Sequence, residues 1–336
     1  MKNKKKQRKV LLAILMIVIT GVTLSVSTYA WFTANKVVTV SDINVNVAST
    51  NGLQMSVDGI NWKTVISNDD INGAVNTYAA AVNQLPSSTT SLAPVSTIGE
   101  INTTNGFLKM FLGDIDSNAD GDYILTTTND VEQNGTAGSF VAFDLFLQVT
   151  NETPIYLTDA SKAAATGSIL GIENAARMAF VVEGNTAAGS AVSAIQGLKA
   201  TTGSENVVIW ELNNDAHTAA AVSNASDNYG ITTTAVTSGA TPIEYYGVKV
   251  PIVKADNILL DSTSSAFFSK VTPTISTGTA GISADAYQSL ITLQPGITKV
   301  RVYMWLEGQD VDCENNASGG SLVFNVQISS NSSASA

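Results

Sequence analysis

"KVRVYMWLE", Lys299 to Glu307, places Val300, Val302, Met304 and Leu306 on one face of an extended chain, with Tyr303 and Trp305 on the other. "SLVFNVQIS" repeats the pattern with Leu322, Phe324, Val326 and Ile328. "FVAFDLFLQV" does so with Val141, Phe143, Leu145, Leu147 and Val149. A period of two is the mark of strands with one buried face. Further strands are expected at 44–47, 53–57, 124–128, 207–212 and 245–250, and over "RMAFVVE". The face bearing Tyr303 and Trp305 is expected to pack under long loops rather than to offer a stacking platform.

Turn dipeptides separate these runs: Asn51-Gly52, Asp58-Gly59, Asp120-Gly121, Asn134-Gly135 and Gly319-Gly320. Helical periodicity is weak, the best stretch being "TAAGSAVSAIQGLKA", read as a short helix over one edge. No repeat recurs at a fixed period, which argues against a propeller or solenoid. The expected fold is mainly β: an antiparallel β-sandwich of jelly-roll type with long loops, preceded by an N-terminal apolar helix. The expected division is 1–30 signal peptide or membrane anchor, 31–50 an N-terminal strand segment, 51–329 the sandwich, and 330–336 a disordered tail.

The N-terminus carries its own chemistry. The first nine residues hold six of the 17 Lys and Arg, and an uncharged run from Val10 to Val26 follows. That layout is a secretory signal, with Thr28 and Ala30 at the −3 and −1 positions of a cut between Ala30 and Trp31. Ser25 and Ser27 allow an alternative cut. If residues 10–32 are retained, the run is long enough to span a bilayer and Tyr29 and Trp31 become interfacial aromatics. Either way the remainder is placed outside the cytoplasm, extracellular or on the cell surface. All 28 Asp and Glu lie beyond residue 30 against 11 basic residues, a formal charge of −17. A surface this acidic repels nucleic acid and anionic lipid. Cys313 is alone, so no intramolecular disulfide exists, and about 300 residues bury enough core without one.

Thr28-Tyr29-Ala30-Trp31-Phe32, directly after the apolar run, resembles the processing region of the TasA/camelysin proteins. These are biofilm-matrix and surface-fibre proteins released by a dedicated signal peptidase. The family's following Ser-Asp is replaced here by Thr33-Ala34-Asn35. The block "VRVYMWLEGQDVDCENNASGGSLVFNVQIS" is similar to the closing strands of such proteins. The likeness covers about residues 10–60 and 295–330. It implies a jelly-roll subunit that polymerises by donating its N-terminal strand to a neighbour, with copies of itself and the signal peptidase as partners. The donor is then Lys36–Ser49, with Val40, Ile43, Val45 and Val47 as the register-setting side chains. Pairing of the same strand within its own subunit is the alternative. On the donor reading, Asp at positions 43 and 45 abolishes polymerisation and leaves a soluble monomer. A second function class is a tethered or shed adhesin that recognises glycan or another surface protein through its loops.

Catalysis is not expected. His217 is the only histidine, and neither H-E-x-x-H nor G-x-S-x-G occurs; His217 is read as a loop residue. In "GDIDSNADGDYI", Asp116, Asn118 and Asp120 take positions 1, 3 and 5 of a D-x-N-x-D-G calcium loop, with Asp122 able to offer a carbonyl. Thr127 stands where the bidentate Glu belongs, so an acidic solvated turn is the competing reading. Calcium is the one cofactor the chain suggests. "SVDGINW" resembles an Asp-box turn with Trp62 on the core. "EGQDVDCENNASGG" carries Glu307, Asp310, Asp312 and Glu314 in one connection, which could bind a cation but is read by default as an acidic, solvated loop.

Overall fold

The structure, a computed structural model, describes residues 43–50, 53–86, 92–117, 123–166, 171–201, 207–212, 217–223, 244–253, 266–278, 281–313 and 321–334. In chain order the strands begin with β1 (Ile43–Ser49), β2 (Gln54–Ser56), β3 (Val65–Ile66), β4 (Val95–Ser96), β5 (Met110–Ser117) and β6 (Tyr123–Asp130). Then come β7 (Val141–Val149), β8 (Thr153–Leu157), β9 (Lys162–Thr166), β10 (Ala176–Thr186) and β11 (Val207–Glu211). The last are β12 (Tyr245–Val248), β13 (Phe268–Val271), β14 (Ile275–Ser276), β15 (Gln288–Leu293), β16 (Gly296–Leu306) and β17 (Ser321–Ser329). Short helices among the described residues include α1 (Asn68–Ala74) and α2 (Val192–Gln196).

Two six-stranded sheets pack face to face. The first runs β15-β8-β17-β1-β3, with β9 also paired to β17; the second runs β14-β11-β10-β16-β7-β2. Between them lies one core. Val141, Phe143, Leu145 and Leu147 of β7 and Val300, Val302, Met304 and Leu306 of β16 meet Leu322, Phe324, Val326 and Ile328 of β17. These are the side chains that period-two alternation aligns, each contributing about 1.5–3 kcal/mol by leaving water. The mainly β expectation holds, with a difference in strand direction. β1 runs parallel to β17 and β14 parallel to β11, so both large sheets are mixed rather than antiparallel. Among the described residues none of the sheets closes into a barrel.

A third layer covers the outer face of the second sheet. It consists of β4-β5-β6 and the β12-β13 pair, joined at Thr127 and Ile252. Val95, Leu108, Met110, Phe140, Tyr245 and Val271 pack on Ala179, Val181, Tyr303 and Trp305. All eleven residues of β16 are buried in consequence. Tyr303 and Trp305 are therefore core residues, covered mainly by strands where long loops were expected. Alternation in β16 does not distinguish wet from dry faces; it distinguishes an apolar interface from a mixed polar one.

Local chemistry pins the edges. In "SVDGINW", Asp58 Oδ1 accepts from the amides of Ile60 and Asn61 at 2.8 and 2.7 Å, and Ser56 Oγ accepts from Gly59 N–H at 2.9 Å. Gly59 sits at φ 70°, where a side chain would be strained. Trp62 packs beside Phe146, Ile195 and Ile297. The expected helix shrinks to α2, which seats Ile195 in that cluster. α1, which has no expectation from periodicity, starts where Asp70 accepts from the Ser67 N–H at 3.0 Å. The low-complexity end, expected to be disordered, is tied down to Ala334: Tyr287 N–H donates to Ser332 O and Ala334 N–H to Ala284 O.

Candidate functional site

Several sequence-derived residues lie outside the described residues: Ala30, Trp31 and Val40, and Asn118, Asp120 and Asp122 of the calcium loop. Asp116 is at the end of β5, opposite Ile124 in the β5–β6 hairpin. The calcium sequence begins in β5 and ends in β6, with residues 118–122 outside the described residues. No helix among the described residues is long and apolar enough to cross a membrane.

The candidate assembly strand is placed in detail. β1 pairs along its whole length with β17, from Ile43↔Leu322 to Ser49↔Ile328. Val45 and Val47 are each 1 % exposed and belong to the inter-sheet core. The opposite edge is thinly covered. β3 pairs with Val47 and Ala48, the Ser49 N–H donates to Thr64 O at 2.9 Å, and the Val45 N–H is met by the Asn68 side chain at 2.8 Å. β1 is thus a full-length partner on one side and close to an edge strand on the other. An edge of this kind offers main-chain groups to another chain.

The outer face of the second sheet carries charge under its third layer. Arg301 is fully buried. Its Nη1 donates to Asp144 Oδ1 at 2.7 Å, its other nitrogens bond Glu132, and Phe107 lies over the guanidinium at 4.5 Å. Lys299 meets Asp144 Oδ2 at 3.0 Å, and the Tyr78 hydroxyl donates to the same oxygen at 2.6 Å. Tyr303 donates to Glu132 and accepts from the Leu108 amide. Burial raises Glu132 despite Arg301, whereas for Asp144 the pull of Arg301 and Lys299 overcomes burial and holds it low.

A second cluster lies at the other end of β16. Arg177 Nη2 contacts Glu211 at 2.9 Å and Asp310 at 2.6 Å, all three being buried. Its Nη1 donates to the carbonyls of Asn174 and Ala176. Glu307 accepts from Trp305 Nε1 at 3.0 Å and from the Gln309 amide at 3.1 Å; burial pushes its carboxyl up to about 7. Asp312 takes both the amide and the hydroxyl of Thr218 on Oδ1, and His217 Nδ1 stands 2.6 Å from its Oδ2. The reading of "EGQDVD" as a solvated connection is corrected here: Glu307, Asp310 and Asp312 are 0, 5 and 1 % exposed. Backbone donors, Arg177 and the third layer replace the water that sequence reasoning assigned to them.

No family model, curated protein or solved structure matches this chain.

Sequence reasoning missed Asp144, Arg177, Glu183 and Arg301. One signal was present, since a charge inside an otherwise apolar strand such as "FVAFDLFLQV" is a candidate buried ion. Glu183 is testable by pH. One carboxylate oxygen accepts from the Ala200 amide at 2.7 Å, and the other is buried with no partner among the described residues. Burial raises this carboxyl to about 7, while the Ala200 bond and Lys299 oppose the rise. Below about 4.5 both folded and unfolded states hold the proton. As pH rises toward 7 the unfolded chain ionises first, so the native state loses stability. Glu183→Gln is expected to add up to about 3 kcal/mol at pH 8 and nothing at pH 4. Urea midpoints at the two pH values measure this; an equal effect at both would show that the shift is absent.

Proposed function

We propose that this chain is a secreted structural subunit of the cell surface or extracellular matrix that assembles into fibres through its N-terminal strand. The observation that carries this reading is the asymmetric seat of β1. Its full ladder to β17 faces an edge covered by a two-residue strand, one further backbone bond from Ser49 N–H to Thr64 O, and one asparagine side chain. If β1 left, Leu322, Phe324 and Val326 would lose their lateral cover, a groove that the same segment of a neighbour would fill in the same register. The resemblance at residues 28–32 supports export and processing, and the two face-to-face sheets are compatible with a jelly-roll plan. The alternative is a tethered adhesin; the exposed Tyr246, Val250 and Val253 beside β12 favour it as a contact patch.

The test uses the register. Ala48 and Gln327 are partners and both are half-buried. Residues 31–336 carrying Ala48→Cys with Gln327→Cys are expected to yield a ladder of disulfide-linked oligomers, collapsed by reductant. Negative-stain images should show fibres. Oxidation solely to an intrachain-locked monomer would mean that β1 stays at home, and the adhesin reading would replace this one. Cys313 is buried and does not compete.

A further inference from the structure

The two charge clusters on the second sheet differ in their balance. In the Arg301 cluster two cations, Arg301 and Lys299, face two carboxylates, Glu132 and Asp144. In the second cluster, among the described residues, Arg177 is the fixed cation, against Glu211, Asp310 and Asp312. Even with Glu307 neutral, three carboxylates stand around one guanidinium in a buried space. Uncompensated buried charge is costly, and folds remove it by pairing, protonation or coordination.

The surplus is focused. His217 Nδ1, an Asp310 oxygen and an Asp312 oxygen all lie within 4.8 Å of one another, and these ligand atoms come from segments more than 90 residues apart in sequence. Each carboxylate is held by its other contacts. Thr218 occupies Asp312 Oδ1, leaving Oδ2 toward His217; Arg177 occupies Asp310 Oδ2, leaving Oδ1 at 3.8 Å from the imidazole. The Asp312 amide donates to Asp310 Oδ1 at 2.9 Å, fixing the two carboxylates relative to each other. Outer partners that orient ligands in this way are a regular feature of metal sites.

We propose that His217, Asp310 and Asp312 form a structural site for one divalent transition-metal ion. A divalent ion beside a neutral imidazole offsets the charge of the Asp310 and Asp312 carboxylates. One nitrogen and carboxylate oxygens select zinc, manganese or iron(II) over calcium or magnesium, which prefer oxygen alone. The ion would staple the connection between β16 and β17 to residues 217–223. It is separate from the 116–122 calcium sequence and does not depend on the assembly reading. The competing way to neutralise the cluster is two protons, one on the imidazole and one on a carboxyl.

The full chain, tag-free and stripped with EDTA, is titrated with zinc chloride or manganese chloride, and with calcium chloride as control. One equivalent of zinc or manganese is expected to bind and raise Tm, with no such response at this site to calcium; His217→Ala should lose affinity at least tenfold. Because His217 is the chain's only histidine, the side-chain 1H–15N spectrum of the unsubstituted protein isolates the site and does not depend on any variant folding. Zinc should shift the imidazole resonances and abolish their titration. An imidazolium protonated on both nitrogens at pH 7 and unmoved by metal would overturn the site, as would zinc binding of equal strength in His217→Ala.

Discussion

Arg301→Met is expected to destabilise the protein by about 3–5 kcal/mol, read as a fall in the urea midpoint. The replacement has similar length and fills the space under Phe107, so little of the loss comes from packing. What remains is Glu132, fully buried and stripped of its cation, and Asp144 with Lys299 alone. A loss of this size is a large part of the 5–15 kcal/mol that holds a typical domain. The effect should shrink in acid, where Glu132, already raised by burial, takes up a proton. Adding Glu132→Gln should recover part of the loss at neutral pH, because the orphaned charge is then gone. A cost below about 1 kcal/mol would show that water reaches this cluster.

Val47→Asp carries the second large effect. Val47 is 1 % exposed, between Val326 of β17 and Ile66 of β3. The substitution loses about 1.5–3 kcal/mol of apolar burial and adds several more for an unpaired carboxylate in the core. A combined loss of at least about 4 kcal/mol is expected, measured on the monomer. The same reasoning applies to Val45 and revises the expectation that Asp there leaves a sound, soluble subunit. The substitution damages the chain's own sheet before it can report on assembly. For that reason the cysteine pair at Ala48 and Gln327, which leaves the core intact, is the better test of strand exchange. A loss under 1 kcal/mol in Val47→Asp would mean that β1 is not held in its own sheet in solution.

The long strands were legible in sequence because one face of each meets a purely apolar partner. Val300 to Leu306, Leu322 to Ile328 and Val141 to Val149 alternate because the opposing sheet accepts only hydrocarbon there. Short strands such as β3, β4 and β14 were invisible, since two residues hold no period. α1 begins at a polar cap that periodicity does not register. The Asp-box turn was legible because its hydrogen bonds close within six residues, from Ser56 to Asn61.

The charged residues divide along the same line. Sequence alone determined that Asp144, Arg301 and Glu307 leave the apolar face of their strands, and that residues 307–312 are crowded with carboxylates. It did not determine whether water or protein meets them. That was decided by the third layer, whose residues come from 92–140 and 244–271, far along the chain from β16. The direction of β1 was decided in the same way. Its alternation specifies which side chains face inward, but parallel pairing with β17 depends on bringing together segments nearly 280 residues apart. Period and turn chemistry are local properties of a chain, whereas dielectric environment and strand partner exist only once distant segments have met.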